Sequence, residues 1–174
     1  MADASAARRR GGVIFGSLPP VRLRRAAAPA SLDADVSADE IPEVLTGDER
    51  AEFVGIAKYS AAISNGTLCL TLDFRRPITG VVQASVFCCG YRADTPFDRM
   101  PKIQARIGAT RSECLDGGRT LPRGAVAIER HLRRLEVKIP LAVAGDPDRA
   151  LVCARTCLEE LPLDWAAWRV LEFQ

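Results

Sequence analysis

The pair Asn65-Gly66 stands between two stretches in which apolar residues recur at every second position. Asn and Gly both tolerate positive φ, which a two-residue type I′ turn requires at both central positions. Because successive side chains of a strand alternate between its faces, this turn would place eight apolar residues on one face of a β-hairpin. The predicted facing pairs are Ile63 with Leu68, Ala61 with Leu70, Tyr59 with Leu72, and Ala57 with Phe74.

Alternating apolar residues predict further short strands along the rest of the chain. They cover residues 82–88, 103–107, 126–128, 135–141, 151–158 and 168–173, and a short helix is the alternative for 151–158. Pro140 cannot donate a backbone hydrogen bond, so we expect it at an edge or at the end of its strand. About seven or eight strands, with turn signals at roughly ten-residue spacing, predict an all-β fold, mainly an antiparallel β-sandwich or open barrel.

The N-terminal part of the chain consists of two blocks of opposite charge. Residues 1–30 carry six Arg and one Asp, whereas residues 31–52 carry eight acidic residues and one Arg. Their low complexity predicts a disordered charged tail over residues 1–45, with at most a short segment packing back, and a single β-sandwich domain over residues 46–174.

The first apolar stretch, Val13–Val21, is interrupted by Gly and Pro residues. This interruption argues against a secretory signal and favours a cytoplasmic protein, and an organellar transit peptide within residues 1–30 stays open. The apolar runs are also shorter than the roughly 20 residues that cross a bilayer, so no membrane association is expected.

The chain contains six cysteines and a single histidine. Since no Cys-x-x-Cys spacing occurs, we expect neither a metal site nor a cofactor. The thiols are interpreted as small buried side chains in a reducing compartment. Cys88 and Cys89 would point to opposite faces of a strand, so one of them is expected to be accessible and is the candidate for a thiol-dependent function.

The loop from Gly90 to Lys102 concentrates the residue types that bind ligands. Its aromatic side chains would supply flat apolar surface, its aspartates would accept hydrogen bonds, and its basic side chains would hold an anionic group. In the alternative interpretation, the charged residues pair with one another while Phe97 and Met100 close the end of the core. The candidate binding residues are Tyr91, Arg92, Asp94, Phe97, Asp98, Arg99 and Lys102, with Trp165 outside the loop.

Three other features have both an ordinary and a functional interpretation. Trp165 and Trp168 would either form a platform for a sugar ring or a partner, or complete the core, with Trp168 the more buried of the two. His131 follows Arg130 at the expected tip of a hairpin, and a positive neighbour disfavours the protonated form that a carboxylate-oriented general base needs. We therefore interpret His131 as an exposed turn residue.

The run Asp146-Pro147-Asp148 is typical of an ordinary turn. The alternative is a calcium site completed by Asp164, or by Asp94 and Asp98. Paired carboxylates for glycosidic chemistry would require two of these acids within about 5 to 10 Å across a cleft.

No nucleophile elbow, phosphate-binding loop or dinucleotide fingerprint occurs, so the sequence favours a protein without catalytic activity. Residues 53–174 lack a long basic stripe interleaved with aromatics, which argues against specific nucleic-acid binding. The sequence therefore predicts a binding or interaction module that uses the 90–102 loop to contact a protein partner or a small polar or sugar ligand. An aromatic content of 6% slightly favours the protein partner. The alternatives are a carbohydrate-active accessory module and a small carboxylate-dependent hydrolase.

Overall fold

The computed structural model describes residues 19–33, 55–78, 80, 82–158 and 161–174. Within these residues the chain forms twelve β-strands and one short 3₁₀ turn, Phe97–Arg99. The described residues include no helix long and apolar enough to cross a membrane. The strands are β1 Val21–Leu23, β2 Ala30–Ser31, β3 Ile56–Ser64, β4 Thr67–Phe74, β5 Val82–Tyr91, β6 Lys102–Ile107, β7 Ser112–Asp116, β8 Arg119–Thr120, β9 Ala127–Arg130, β10 Arg134–Pro140, β11 Arg149–Leu158 and β12 Leu161–Phe173.

The strands form two sheets. The seven-stranded sheet has the order β1-β12-β11-β5-β6-β7-β8, and the five-stranded sheet has the order β2-β3-β4-β10-β9. Neighbouring strands are antiparallel except for β1 and β12, which are parallel. The predicted all-β antiparallel sandwich is confirmed, and the two sheets do not close into a barrel.

The predicted β3–β4 hairpin forms around a turn in which Asn65 and Gly66 have φ of 50° and 70°. Three of its four predicted apolar pairs have the observed register. The fourth prediction is wrong, because Phe74 faces Ile56 and not Ala57. The register shifts between Ile56 and Lys58, which makes Ala57 the extra residue of a β-bulge and leaves its side chain exposed.

The core lies between the two sheets. The inner-face side chains of β3, β4 and β10 form one hydrophobic cluster with those of β5, β6 and β11. In β5, for example, Ala84, Val86 and Cys88 belong to this cluster, whereas Ser85, Phe87 and Cys89 project from the opposite, outer face. The outer face of the seven-stranded sheet also carries Trp165, one of the predicted binding residues.

The segment 19–33 belongs to the sandwich and not to a disordered tail. β1 pairs with β12, and β2 pairs with β3, so this short segment adds a strand to each sheet. Leu23 and Leu32 are buried in the core, and the Leu32 amide donates to the Tyr59 carbonyl at 2.7 Å. This is the short segment that the prediction allowed to pack back on the domain, and the rest of the predicted tail over residues 1–45 lies outside the described residues.

The C-terminal strands are longer than predicted. The segment at 151–158 is a strand, as the favoured interpretation held, and it begins at Arg149. The closing strand begins at Leu161 and not at Trp168, and two register shifts in its pairing with β11 interrupt its alternation. Pro140 is the last residue of its strand, as predicted.

Candidate functional site

The 90–102 loop connects β5 to β6 and is held by its own backbone hydrogen bonds. Gly90 donates to the Pro101 carbonyl at 3.0 Å, and Arg99 donates to the Pro96 carbonyl at 3.0 Å within the 3₁₀ turn. Met100 is buried, which anchors the end of this turn. The backbone of the loop is therefore fixed although most of its side chains face solvent.

Contacts with the turn before β11 fix the other side of the loop. The Asp148 amide donates to the Tyr91 carbonyl at 2.9 Å, and its Oδ2 accepts from the Ala93 amide at 3.3 Å. The Arg92 guanidinium also donates to the Asp146 carbonyl at 3.3 Å. Asp146 has a φ of 46°, so the run Asp146-Pro147-Asp148 serves as a turn that supports the loop.

Arg92 and Asp94 engage each other. Arg92 Nε and Nη2 donate to the two carboxylate oxygens of Asp94 at 2.8 and 2.6 Å, and Thr95 Oγ1 adds a bond at 3.0 Å. These hydrogen bonds hold the pKa of Asp94 well below its usual range and raise that of Arg92. For these two residues, the structure agrees with the interpretation in which loop charges pair with one another.

Lys102 and Phe97 form a second fixed contact. Lys102 Nζ donates to the carbonyls of Phe97 and Met100 at 2.8 and 3.1 Å, and it lies 4.6 Å from the centre of the Phe97 ring. The amine is thus occupied by the loop itself. The Phe97 side chain is 72% exposed, so it does not close the core as the alternative interpretation held.

The remaining loop candidates lie at the surface. Tyr91 is 46% exposed at the end of β5. Asp98 and Arg99 directly follow Phe97 in sequence, are exposed, and form no ion pair with any other described residue. The loop therefore presents an exposed aromatic ring followed by two exposed side chains of opposite charge.

Trp165 lies far from the loop. It pairs with Arg155 in β11, and Arg155 pairs with Ser85 in β5, six residues before Tyr91. At about 3.3 Å per residue, that separation corresponds to roughly 20 Å along the sheet. The structure therefore does not bring Trp165 together with the seven loop candidates.

Trp165 instead belongs to a second surface, the aromatic–arginine face, formed by Phe87, Arg155, Trp165 and Trp168. The Arg155 guanidinium carbon lies 5.2 Å from the Phe87 ring centre and 5.6 Å from that of Trp165. The rings of Trp168 and Phe87 are in contact, with a centroid distance of 5.9 Å. Trp168 is half-buried and Trp165 is 40% exposed, so Trp168 is the more buried of the two tryptophans, as predicted. Sequence reasoning missed Phe87 and Arg155, although both occupy outward positions of long strands.

The carboxylates proposed for a calcium site or for hydrolysis do not all come together: Asp146 and Asp148 lie against the loop that holds Asp94, whereas Asp164 lies apart. Asp164 accepts from the Ile56 amide at 2.7 Å and from the Trp165 amide at 2.8 Å, near the end of the sheet opposite the loop. Asp94 is bound by Arg92 in the loop. No group of three or more His, Cys, Asp or Glu side chains arranged to hold a metal occurs in the described ranges.

The six cysteines are reduced. Cys88 is buried and Cys89 is half-buried, as their predicted opposite orientations require. Burial raises the pKa of Cys88 to about 12, and it raises the pKa of Cys89 as well. Because the thiolate is the nucleophilic form, these shifts disfavour the thiol-dependent interpretation.

His131 lies in the β9–β10 connection and is exposed. It borders an open depression of about 620 Å³ that also contains the Asp73–Arg134 ion pair, in which Arg134 donates to both carboxylate oxygens at 2.6 and 3.2 Å. The histidine is therefore an exposed turn residue, as the sequence predicts.

Comparisons of the chain with family models, with curated proteins and with solved structures found no match.

Proposed function

We propose that the protein is a non-catalytic binding module that contacts a protein partner through the loop between β5 and β6. The observation that carries this proposal is the exposure of the Phe97 ring, 72%, at the tip of a loop whose backbone is held by hydrogen bonds. Burial of such a ring in a partner's pocket removes a large apolar surface from water.

The fixed geometry of the loop supports this role. The 3₁₀ turn, the buried Met100 side chain and the bonds from Lys102 hold the Phe97 backbone before any partner arrives. Less conformational entropy is then lost on binding than for a mobile loop. Rigid scaffolds that present side chains on loops are a common arrangement for recognition.

The charged neighbours would add specificity. Asp98 and Arg99 follow Phe97 directly in sequence and are exposed, and charges at the rim of an interface steer association and select among partners. By contrast, Arg92 and Asp94 satisfy each other and would serve to hold the shape of the loop. This division places the binding energy on the aromatic ring and the selectivity on the two charges beside it.

Quantitative affinity capture with the full chain tests the proposal. The Phe97→Ala variant is compared with wild type and with Leu132→Ala, a control in which an equally exposed apolar side chain, 78%, is removed from the β9–β10 connection. A central hot spot contributes about 2 kcal/mol or more, so a captured protein should bind Phe97→Ala about 30-fold or more weakly and Leu132→Ala unchanged. Equal binding of every captured protein by all three chains would refute the proposal.

A further inference from the structure

The aromatic–arginine face carries a row of side chains that runs directly across four strands. Trp165 faces Arg155, Arg155 faces Ser85, and Ser85 faces Arg106 in the pairing of β12, β11, β5 and β6. All four positions project from the outer face of the seven-stranded sheet, because their strand neighbours belong to the core. The row therefore alternates a ring, a cation, a small residue and a second cation.

Arg155 is held by two aromatic rings and has no counter-ion among the described residues. Its guanidinium lies between the rings of Phe87 and Trp165, and its Nε is buried with no hydrogen-bond partner. Neither a hydrogen bond nor an ion pair joins this guanidinium to another side chain of the described segments. Arg92 and Arg134, in contrast, each donate to both oxygens of a carboxylate.

The guanidinium is packed beside one ring from each neighbouring strand, and its N–H groups lie in a single plane. This geometry is suited to a planar carboxylate, which accepts two parallel hydrogen bonds from Arg. A ligand carboxylate would accept from the two Nη groups of Arg155, because Nε is buried, and would play the part that Asp94 plays for Arg92.

The second cation of the row lies on the other side of β5. Arg106 is exposed, and its Nη2 lies 3.5 Å from Gln104 Oε1. Two interstrand spacings separate Arg155 from Arg106, which is about 10 Å between their Cα atoms. Ser85 lies between them in the row and is small and buried, and the space over it, between the Arg155 and Arg106 positions, is named the notch.

The charges around this notch are mainly positive. Glu113 faces Arg106 on the far side from Ser85, and the two form no ion pair. Further along the outer face, Lys102 is bound to backbone carbonyls and Arg149 is paired with Glu172. The charge of the notch therefore favours an anionic ligand.

We propose that the aromatic–arginine face binds an acidic saccharide, with a uronate carboxylate held by Arg155 and Arg106 and a sugar ring stacked on Trp165. The exposed part of Trp165 supplies a flat apolar surface, and Gln104 supplies an amide for hydroxyl groups. This inference is independent of the proposed protein-binding loop, because Trp165 and the loop candidate Tyr91 are roughly 20 Å apart along the sheet and neither proposal uses the other's aromatic ring.

Calorimetric titration of the full chain with an oligogalacturonate tests this proposal. The matched ligand is the same oligosaccharide with its carboxyl groups methyl-esterified, which keeps the rings and removes the charge. We expect the acid to bind and the ester to bind at least about 10-fold more weakly, because hydrogen bonds to charged groups are lost. Equal binding of acid and ester, or no binding of the acid, would refute the proposal.

Variants locate the site. Arg155→Gln and Arg106→Gln should each weaken oligogalacturonate binding about 10-fold or more, whereas Arg133→Gln, at an exposed position of the five-stranded side, should leave it unchanged. Trp165→Ala should weaken binding while thermal unfolding shows that the fold is kept. If Arg133→Gln has the same effect as Arg155→Gln, the binding is a general charge effect and the proposed site is wrong.

Two further probes separate the ligand classes. Inorganic sulfate should compete only at concentrations far above those of the oligogalacturonate, since it cannot stack on Trp165. An oligoglutamate peptide that bound as tightly, with the same dependence on Arg155, would overturn the saccharide assignment. The Phe97→Ala variant should bind the oligogalacturonate like wild type, so failure of either proposal leaves the other testable.

Discussion

Substitution of Gly90 by Ala would disturb the base of the candidate loop. A Cβ built at Gly90 would lie 2.1 Å from the carbonyl oxygen of Ala144, and real Cβ atoms essentially never approach closer than 3.0 Å. One of the two backbone segments would have to move by about 0.9 Å or more to relieve this overlap.

The Ala144 carbonyl cannot move easily. The turn around it is held by hydrogen bonds from the amides of Val143 and Ala144 to the Pro140 carbonyl, and from the Asp146 amide to the Leu141 carbonyl. Overpacking of this kind costs about 1–3 kcal/mol of unfolding free energy. The loss of unfolded-state entropy that accompanies any Gly→Ala change returns about 0.4–1 kcal/mol.

Gly108→Ala is the matched control. A Cβ at Gly108 would lie 3.5 Å from the Arg111 carbonyl oxygen, which is an ordinary contact, and the unfolded-state gain is the same as at Gly90. The difference between the two variants is therefore the overpacking cost itself, about 1–3 kcal/mol.

Thermal and urea unfolding of both variants measure this difference. For a chain of this length it corresponds to a Tm about 2–12 °C lower for Gly90→Ala than for Gly108→Ala. Backbone amide chemical shifts should change around Ala144 and the 90–102 loop. Equal stability of the two variants would show that the close approach of β5 to the Ala144 turn is wrong.

Other predictions concern the N-terminus, the thiols and alkaline pH. Truncation through Leu32 removes the buried Leu23 and Leu32 side chains, so urea unfolding should show a loss of about 3–6 kcal/mol, and an unchanged midpoint would contradict their place in the core. Cys88 and Cys153, whose pKa burial raises to about 12, should resist iodoacetamide at pH 8 until urea unfolds the chain, as mass spectrometry would report. These thiols ionise near pH 9 in the unfolded chain but not in the folded one. The unfolding free energy should therefore be at its full value below about pH 8.5 and fall as the pH rises toward 12. Burial also raises the pKa of Tyr59, which adds to this fall above about pH 10. Stability that is constant over this range in urea titrations would contradict the burial of these groups.

The sequence is most informative where structure is local. Asn65-Gly66 and the alternation on both sides of it determine a hairpin without reference to the rest of the chain, and the observed φ values and three of the four apolar pairs agree with it. The bulge at Ala57 breaks the alternation at the far end of the hairpin, where the turn no longer determines the register.

Long-range pairing is where sequence reasoning fails. β1 and β2 comprise three and two residues, and they are strands only because β12 and β3 offer them partners far away in the chain. Their Arg-rich and Ala-rich sequence has no strand periodicity that would reveal this. The local sequence pattern therefore predicts a tail at residues 19–33, whereas pairing with distant strands makes this segment part of the sandwich.

The two candidate surfaces differ in how the sequence arranges charge. Arg92 and Asp94 stand two residues apart in a loop, where opposite charges reach each other and satisfy their hydrogen bonds locally. In β11, the outward-facing positions on either side of Arg155 are cysteines, so no carboxylate of the same strand lies beside it. The rings around Arg155 are revealed only by the pairing of β11 with β5 and β12. A charged residue isolated among uncharged outward positions of a strand is thus a better indication of an unsatisfied binding group than a loop rich in both signs of charge, because local neutralisation removes the charges that a ligand would need.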